Sequence, residues 1–245
     1  MYELKKLASG VSLWVFIILC IAVNMAAMMI YPDAYAVHQT LFNKIPIAGV
    51  MGRLLLQGII VAIFLSISSL GHEHANNTEH IIYAAKTGRK IIWIKIAASI
   101  IAGIGIYLVL TSVTLVYFFT LHDYSNWSFL WSWIGMSVAM LVCFSLMAAI
   151  VGVIFRNSYI AFTIIILLNS VTIAYVMTFP DNPYIRFVLL HAPAWLWWYS
   201  GYWFTNNGYT NLPDNFELWG AGASLIILTA LCVFVVKMHE KRDIS

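Results

Sequence analysis

Five closely spaced side chains near residue 75 are of the types that bind metal ions: His72, Glu73, His74, Glu79 and His80. Histidine and carboxylate are ordinary zinc ligands. Their spacing does not match the H-E-x-x-H motif, in which two histidines four residues apart share one face of a helix. His72 and His74 are two residues apart and would point in different directions on a helix. We therefore predict no metal ion and interpret the cluster as a polar surface that meets a partner. A metalloprotein or membrane enzyme built on it is an alternative.

The sequence shows no set of residues for catalysis or for ATP hydrolysis. The serines in the apolar runs have no histidine or lysine placed to activate them as nucleophiles. The phosphate-binding motif G-x-x-x-x-G-K-[ST] is absent, and Gly88-Arg89-Lys90 lacks its other residues. We therefore expect a protein that is not an enzyme. If ATP drives it, ATP and Mg²⁺ bind to a separate subunit.

The composition is that of a membrane protein. Of the 245 residues, 62% are hydrophobic and only 9% are charged, whereas a soluble domain carries about 25% charged residues. Such a chain cannot cover a water-facing surface, so lipid must surround most of it. The net charge of +3 does not indicate a nucleic-acid partner.

Six long apolar runs predict six transmembrane helices, because a spanning helix needs about 20 mostly apolar residues. The predicted spans are 11–30, 54–70, 96–120, 129–155, 159–178 and 218–236. None alternates as a membrane strand does. The predicted fold is thus all-α, with residues 1–245 forming a single transmembrane domain.

The basic residues set the predicted orientation, because Lys and Arg concentrate on the cytoplasmic side. With both termini in the cytoplasm, three of the 13 basic residues lie outside, namely Lys44, Arg53 and Arg186. The other ten lie inside. The predicted spans have almost no charged residues near the middle of the membrane. Stand-alone carriers often use such residues to couple ion movement to transport. A stand-alone carrier is therefore the weaker alternative.

The cytoplasmic segment between the second and third spans has the pattern of a short amphipathic helix. Thr78 can cap its first turn, and Gly88 can end it. Ile81, Ile82 and Ala85 then form one apolar stripe, which suits docking into a groove on a partner protein.

This segment resembles the signature of type 2 ABC exporter permeases. The resemblance rests on Glu73, Asn77-Thr78-Glu79, Ala84, Thr87-Gly88-Arg89 and Lys95. It is specific over 73–95 and looser over the rest of the chain, and the amphipathic N-terminal segment is shorter than the family's elbow helix. The resemblance implies a short cytoplasmic coupling helix that docks on a separate ATP-binding subunit, in an assembly of two ATPases with two permeases, identical or paralogous. The residues it implies for coupling are Glu73, Thr78, Glu79, Ile81, Ile82, Ala85, Lys86 and Arg89.

The external segment before the last span fits the same family. Residues 184–204 are apolar and aromatic, and Pro193 interrupts them, which makes one straight helix unfavourable. Family members carry a re-entrant hairpin here, so the resemblance implies an external gate at Pro193, Trp195, Trp197 and Trp198. An ordinary aromatic belt at the membrane interface is the alternative.

Polar and methionine side chains within the spans are candidates for a substrate path. They are Asn24, Met25, Met28, Met29, Gln57 and Asn169. Helix-to-helix hydrogen bonding by the amides and lipid contact by the methionines are the alternatives. Few charges line this path, which favours an amphipathic, hydrophobic or lipid-like cargo. Among the families of type 2 permeases, the resemblance is closest to exporters of antimicrobial or cytolytic peptides and implies a cargo of that kind. The resemblance places the chain in a bacterial plasma membrane.

Glycines in the spans are a further set with an expected role in packing. We predict close helix contacts at Gly103, Gly105, Gly135, Gly152, Gly220 and Gly222. Cys20, Cys143 and Cys232 are predicted to be packing residues without disulfides.

Overall fold

A computed structural model describes residues 11–30, 47–75, 88–121, 127–155, 157–167 and 216–242. These residues form six α-helices and no strand, as the apolar runs predict. The helices are α1 (Val11–Ile30), α2 (Ile47–Ala75), α3 (Gly88–Leu121), α4 (Trp127–Phe155), α5 (Ser158–Leu167) and α6 (Phe216–Arg242).

Three of these helices are long and apolar enough to cross a membrane. Their apolar segments are Ile91–Thr120 of α3, Ile134–Phe155 of α4 and Gly222–His239 of α6. Shorter apolar segments lie at Leu13–Ala26 of α1, Leu54–Leu70 of α2 and in α5. Helices of this length and hydrophobicity are consistent with a membrane protein.

The helices extend beyond several of the charge-free runs. α2 begins seven residues before the predicted span 54–70 and ends five residues after it, and α3 begins at Gly88 rather than at residue 96. Charged residues end an apolar run without ending a helix. The helical backbone hydrogen bonds continue through Arg53 and Lys95. The methylene groups of a lysine side chain can pack against apolar neighbours.

The core lies between α2, α3 and α4. α2 packs along both α3 and α4, α6 packs on α4, and α1 rests mainly on α3. α4 is the most enclosed of the three long apolar helices. On α6, Leu228, Cys232 and Val236 are buried at helical spacing, whereas Ile226 on another face is exposed. Exposed apolar side chains of this kind suit contact with lipid.

An asparagine separates α4 from α5. The Asn157 side-chain oxygen accepts hydrogen bonds from the backbone N–H groups of Tyr159 (3.0 Å) and Ile160 (3.2 Å). This is the geometry of an N-cap, which satisfies two donors that the first turn leaves open. The predicted fifth span, 159–178, is described only as far as Leu167.

The three cysteines are buried and form no disulfide, which confirms the prediction. Two glycine predictions are confirmed, and three find no close contact among the described residues. A Cβ on Gly103 would lie 3.3 Å from Ala62, and one on Gly152 would lie 3.5 Å from Leu70. By contrast, a Cβ on Gly105, Gly135 or Gly222 would meet no atom of the described residues within 4 Å. These three glycines lie on helix faces that turn away from the neighbouring described helices. The surroundings of Gly220 are outside what the structure describes.

Candidate functional site

Small and polar residues meet along the whole interface between α2 and α3. A Cβ on Gly58 would lie 2.8 Å from the Tyr107 ring, and one on Gly103 would lie 3.3 Å from the Ala62 backbone. One turn further along, the hydroxyls of Ser66 and Ser99 lie 3.4 Å apart. The contacting residues advance by one helical turn in α2 and retreat by one turn in α3, so the helices are antiparallel. Small residues of this kind let membrane helices approach closely.

Lys95 completes this interface near the start of α3. Its Nζ donates a hydrogen bond of 2.9 Å to the backbone oxygen of Ser69 in α2. Only 2% of Lys95 is exposed, so the ammonium group lies inside the protein rather than in solvent. Hydrogen bonds to charged groups are stronger than those between neutral groups. Lys95 therefore ties the last turns of α2 to the first turns of α3.

Serine hydroxyls surround this bond. Ser69 donates to the Ser66 backbone oxygen (3.1 Å), and Ser99 donates to the Ile96 backbone oxygen (2.9 Å). Both side chains are buried. The polar groups at this end of the interface are thus satisfied, as buried polar groups must be. We call Ser66, Ser69, Lys95 and Ser99 the polar clasp.

The row of small and polar residues on α3 continues toward its C-terminal end through three further hydroxyl residues. Tyr107, Thr111 and Thr114 follow Lys95, Ser99 and Gly103 at helical spacing, and all three are buried. Within the described part of the chain, none of their hydroxyl oxygens has a hydrogen-bond partner. The buried surface of α3 therefore combines these polar groups with apolar side chains such as Leu110 and Leu115, and its hydroxyls at Tyr107, Thr111 and Thr114 lack the hydrogen bonds of the polar clasp.

An amide pair joins α1 to α2. Asn24 Nδ2 donates to Gln57 Oε1 at 2.9 Å, and Gln57 Nε2 donates back to Asn24 Oδ1 at 3.4 Å. Asn24 is buried, and Gln57 is half-buried. Two of the predicted path residues therefore bond to each other. This arrangement is the one that helix-to-helix hydrogen bonding requires.

Replacing one amide residue of this pair should lower the stability of the protein more than replacing both. Asn24→Leu leaves the Gln57 amide unpaired, and Gln57→Met leaves the Asn24 amide unpaired, at about 1–3 kcal/mol for each orphaned group. The double variant orphans neither. Thermal unfolding of the purified protein in detergent is expected to show two destabilised single variants and a double variant closer to the wild type. Additive losses would contradict a reciprocal bond.

An apolar groove lies between α1, α2 and α5. Its volume is about 210 Å³. It is lined by Leu13 and Phe16 of α1, Ile60, Val61 and Phe64 of α2, and Phe162 of α5. This chemistry suits a hydrocarbon chain or an apolar side chain.

The remaining predicted path residues are spread along α1 or lie beyond the described helices. Met25 is half-buried and Met29 is exposed, as lipid contact requires. Met28 lies on the same helix, and Asn169 lies outside the described residues. The structure thus brings Asn24 and Gln57 together but not the whole predicted path.

Most of the predicted coupling residues lie in a segment that the structure does not describe, and two of them flank it. Glu73 lies on the last turn of α2, and Arg89 lies on the first turn of α3. Thr78, Glu79, Ile81, Ile82, Ala85 and Lys86 lie outside the described residues, as do the gate residues Pro193, Trp195, Trp197 and Trp198. His72 and His74 lie on α2, and His80 lies outside. Among the residues that are described, no three potential metal ligands come together.

Sequence reasoning missed most of this interface. Gly58, Ser66, Tyr107 and the two threonines were not among the predicted site residues, although Lys95 belongs to the signature discussed above. A signal was present: Gly58, Ala62 and Ser66 recur every four residues in α2, as do Lys95, Ser99, Gly103, Tyr107 and Thr111 in α3. Such spacing places consecutive members of each set next to one another on the helix surface.

The chain matches no family model, and no curated protein matches it.

Proposed function

We propose that this chain is the permease subunit of an ATP-driven exporter of the type 2 ABC kind, in a bacterial plasma membrane. The observation that carries the proposal is the pairing of α2 with α3. The two helices on either side of the predicted coupling segment are joined along their length, and the Lys95–Ser69 bond lies at the end nearest to that segment. A force applied to 76–87 would therefore move both helices together.

The proposed topology has six spans with both chain ends in the cytoplasm. The ten-to-three split of basic residues supports it. In this arrangement, residues 78–86 form the coupling helix on the inner surface, and residues 179–204 form a re-entrant hairpin with the external gate. Two permease copies, identical or paralogous, associate with two ATP-binding subunits, which hold ATP and Mg²⁺.

The apolar groove supports a cargo with hydrophobic parts. Its walls offer only hydrocarbon and aromatic surface, and the Asn24–Gln57 pair lies along the same helix boundary. An amphipathic peptide or a lipid-like molecule would place its apolar part against such walls. The proposed function is therefore export of a cytolytic or antimicrobial peptide, or of a lipid-like molecule.

The test is the association with an ATPase. The tagged chain is purified from its native membrane, and the co-purifying protein is assayed for MgATP hydrolysis. Ile82→Asp and Glu79→Lys should abolish co-purification, because a charge then enters the apolar docking stripe or reverses the contact beside it. Tyr83→Asp is the matched control, since residue 83 lies opposite Ile81, Ile82 and Ala85 on a helix.

We expect the Tyr83→Asp complex to retain both the partner and its activity. All three variants should reach the membrane in wild-type amounts. Normal co-purification and hydrolysis with both Ile82→Asp and Glu79→Lys would show that this segment does not couple the chain to an ATPase.

A further inference from the structure

Three buried hydroxyl groups lie along one face of α3 without a hydrogen-bond partner among the described residues: those of Tyr107, Thr111 and Thr114. Tyr107 and Thr114 are 0% exposed, and Thr111 is 2% exposed. Their spacing of four and then three residues places them on the same side of the helix. A buried hydroxyl without a partner costs about 1–3 kcal/mol, so three together are a feature that needs an explanation.

The two threonines differ from Thr120 and Thr163, two other threonines of the described helices. Thr120, also on α3, donates to the Tyr117 backbone oxygen at 2.6 Å, and Thr163 donates to the Tyr159 backbone oxygen at 2.9 Å. Bonding to a carbonyl three or four residues earlier is the usual solution for such side chains in a helix. Thr111 and Thr114 do not form this backbone hydrogen bond. Their hydroxyls are therefore available to a group outside their own helix.

Tyr107 places its hydroxyl at the boundary of α3 and α4. The Ser137 hydroxyl of α4 and the Thr111 hydroxyl are its polar neighbours, although neither contact has hydrogen-bond geometry. Gly58 of α2 makes room for the ring, since a Cβ there would lie 2.8 Å from Tyr107 Cδ2. The tyrosine is therefore held by three helices with its polar end toward other hydroxyls.

The chemistry of this cluster selects an uncharged ligand that both donates and accepts hydrogen bonds. Every group in it is a neutral hydroxyl, which can do either. An ion would need a compensating charge, and α4, which supplies Ser137, contains no charged residue. Water fits best, because a buried water typically makes two to four hydrogen bonds to otherwise unsatisfied groups.

We propose that Tyr107, Thr111 and Thr114, together with Ser137, form an internal water-binding site between α3 and α4. The bound water satisfies the hydroxyls and bridges the two helices. This bridge replaces direct side-chain bonds of the kind that the polar clasp makes between α2 and α3. The inference concerns the chain itself and does not depend on the proposed export function.

X-ray radiolytic footprinting tests the site directly, because hydroxyl radicals formed from bound water oxidise the side chains beside it. The full-length purified protein is irradiated in detergent, and oxidation of each residue is measured by mass spectrometry. Phe118 and Phe144, which are 1% and 3% exposed, are the internal controls. After correction for intrinsic reactivity, Tyr107 should be oxidised several-fold faster than either phenylalanine, despite its complete burial.

Variants then identify the residues that hold the water. Thr111→Val with Thr114→Val keeps the side-chain shape and should reduce Tyr107 oxidation to the level of the two phenylalanines. Thr120→Val, whose hydroxyl bonds to its own helix, should leave Tyr107 oxidation unchanged. Oxidation of Tyr107 no faster than that of Phe118 in the wild-type protein would overturn the proposal, whether or not any variant folds. Unchanged oxidation in a folded double valine variant would overturn it as well.

Discussion

Gly58→Ala is expected to destabilise the protein by about 1–3 kcal/mol, the usual cost of adding a methyl group to a filled core. The added Cβ would lie 2.8 Å from Cδ2 of Tyr107 and 3.3 Å from Cδ2 of Leu141. Neither neighbour can withdraw easily, because Tyr107 is completely buried and Leu141 is 1% exposed. The methyl group would therefore force α2 away from both α3 and α4.

Gly105→Ala is the matched control for this substitution. Gly105 lies on the exposed side of α3, and a Cβ there would meet no atom of the described residues within 4 Å. Alanine favours a helix over glycine by about 1 kcal/mol, so this variant should be neutral or more stable. Thermal unfolding in detergent measures both. Equal effects at the two positions would show that helix propensity, rather than contact with Tyr107, governs Gly58.

Lys95→Glu is expected to prevent accumulation of folded protein. The substitution places a carboxylate beside the backbone oxygen of Ser69, which now accepts a 2.9 Å hydrogen bond from the ammonium group. Two acceptors would then face each other, and breaking a buried charged contact by removing one partner costs about 3–5 kcal/mol. Size-exclusion chromatography of detergent extracts should show little monodisperse protein.

Two further variants separate the charge of Lys95 from its burial. Lys95→Met keeps an apolar stem of similar length and leaves no buried carboxylate, so it should fold with a loss of about 1.5–3 kcal/mol, the value of one charged hydrogen bond. Lys237→Glu makes the same charge reversal at an exposed position of α6 and should have little effect. A monodisperse Lys95→Glu protein with wild-type stability would contradict the role assigned to the Lys95–Ser69 bond.

The apolar runs predicted the helices because length and hydrophobicity alone decide whether a segment needs lipid. The run at 11–30 coincides with α1, and the run at 129–155 lies within α4. The boundaries of α2 and α3 were harder to predict, because helices continue through charged residues once the backbone is hydrogen-bonded.

The helix partners could not be read from hydrophobicity. Almost every residue in these spans is apolar, so the apolar pattern does not distinguish a helix face that meets another helix from one that meets lipid. Asn24 and Gln57 were therefore predicted as path residues or as helix contacts without a means to decide. Their reciprocal hydrogen bond depends on how α1 and α2 are placed in space, which no local pattern encodes. Gly105 and Gly103 look alike in sequence, yet only Gly103 faces α2.

The order in which the helices can assemble during synthesis follows from the α2–α3 pairing. The two helices are consecutive in the chain, and contacts between such neighbours require little loop closure and form early. Once α3 leaves the ribosome, its glycine and serine face can meet α2 before α4 has been made. The pocket for Tyr107 is completed only later, when α4 brings Leu141 and Ser137 to it. We therefore expect the α2–α3 pair to form first. α4 then packs against this pair, and α6 packs against α4.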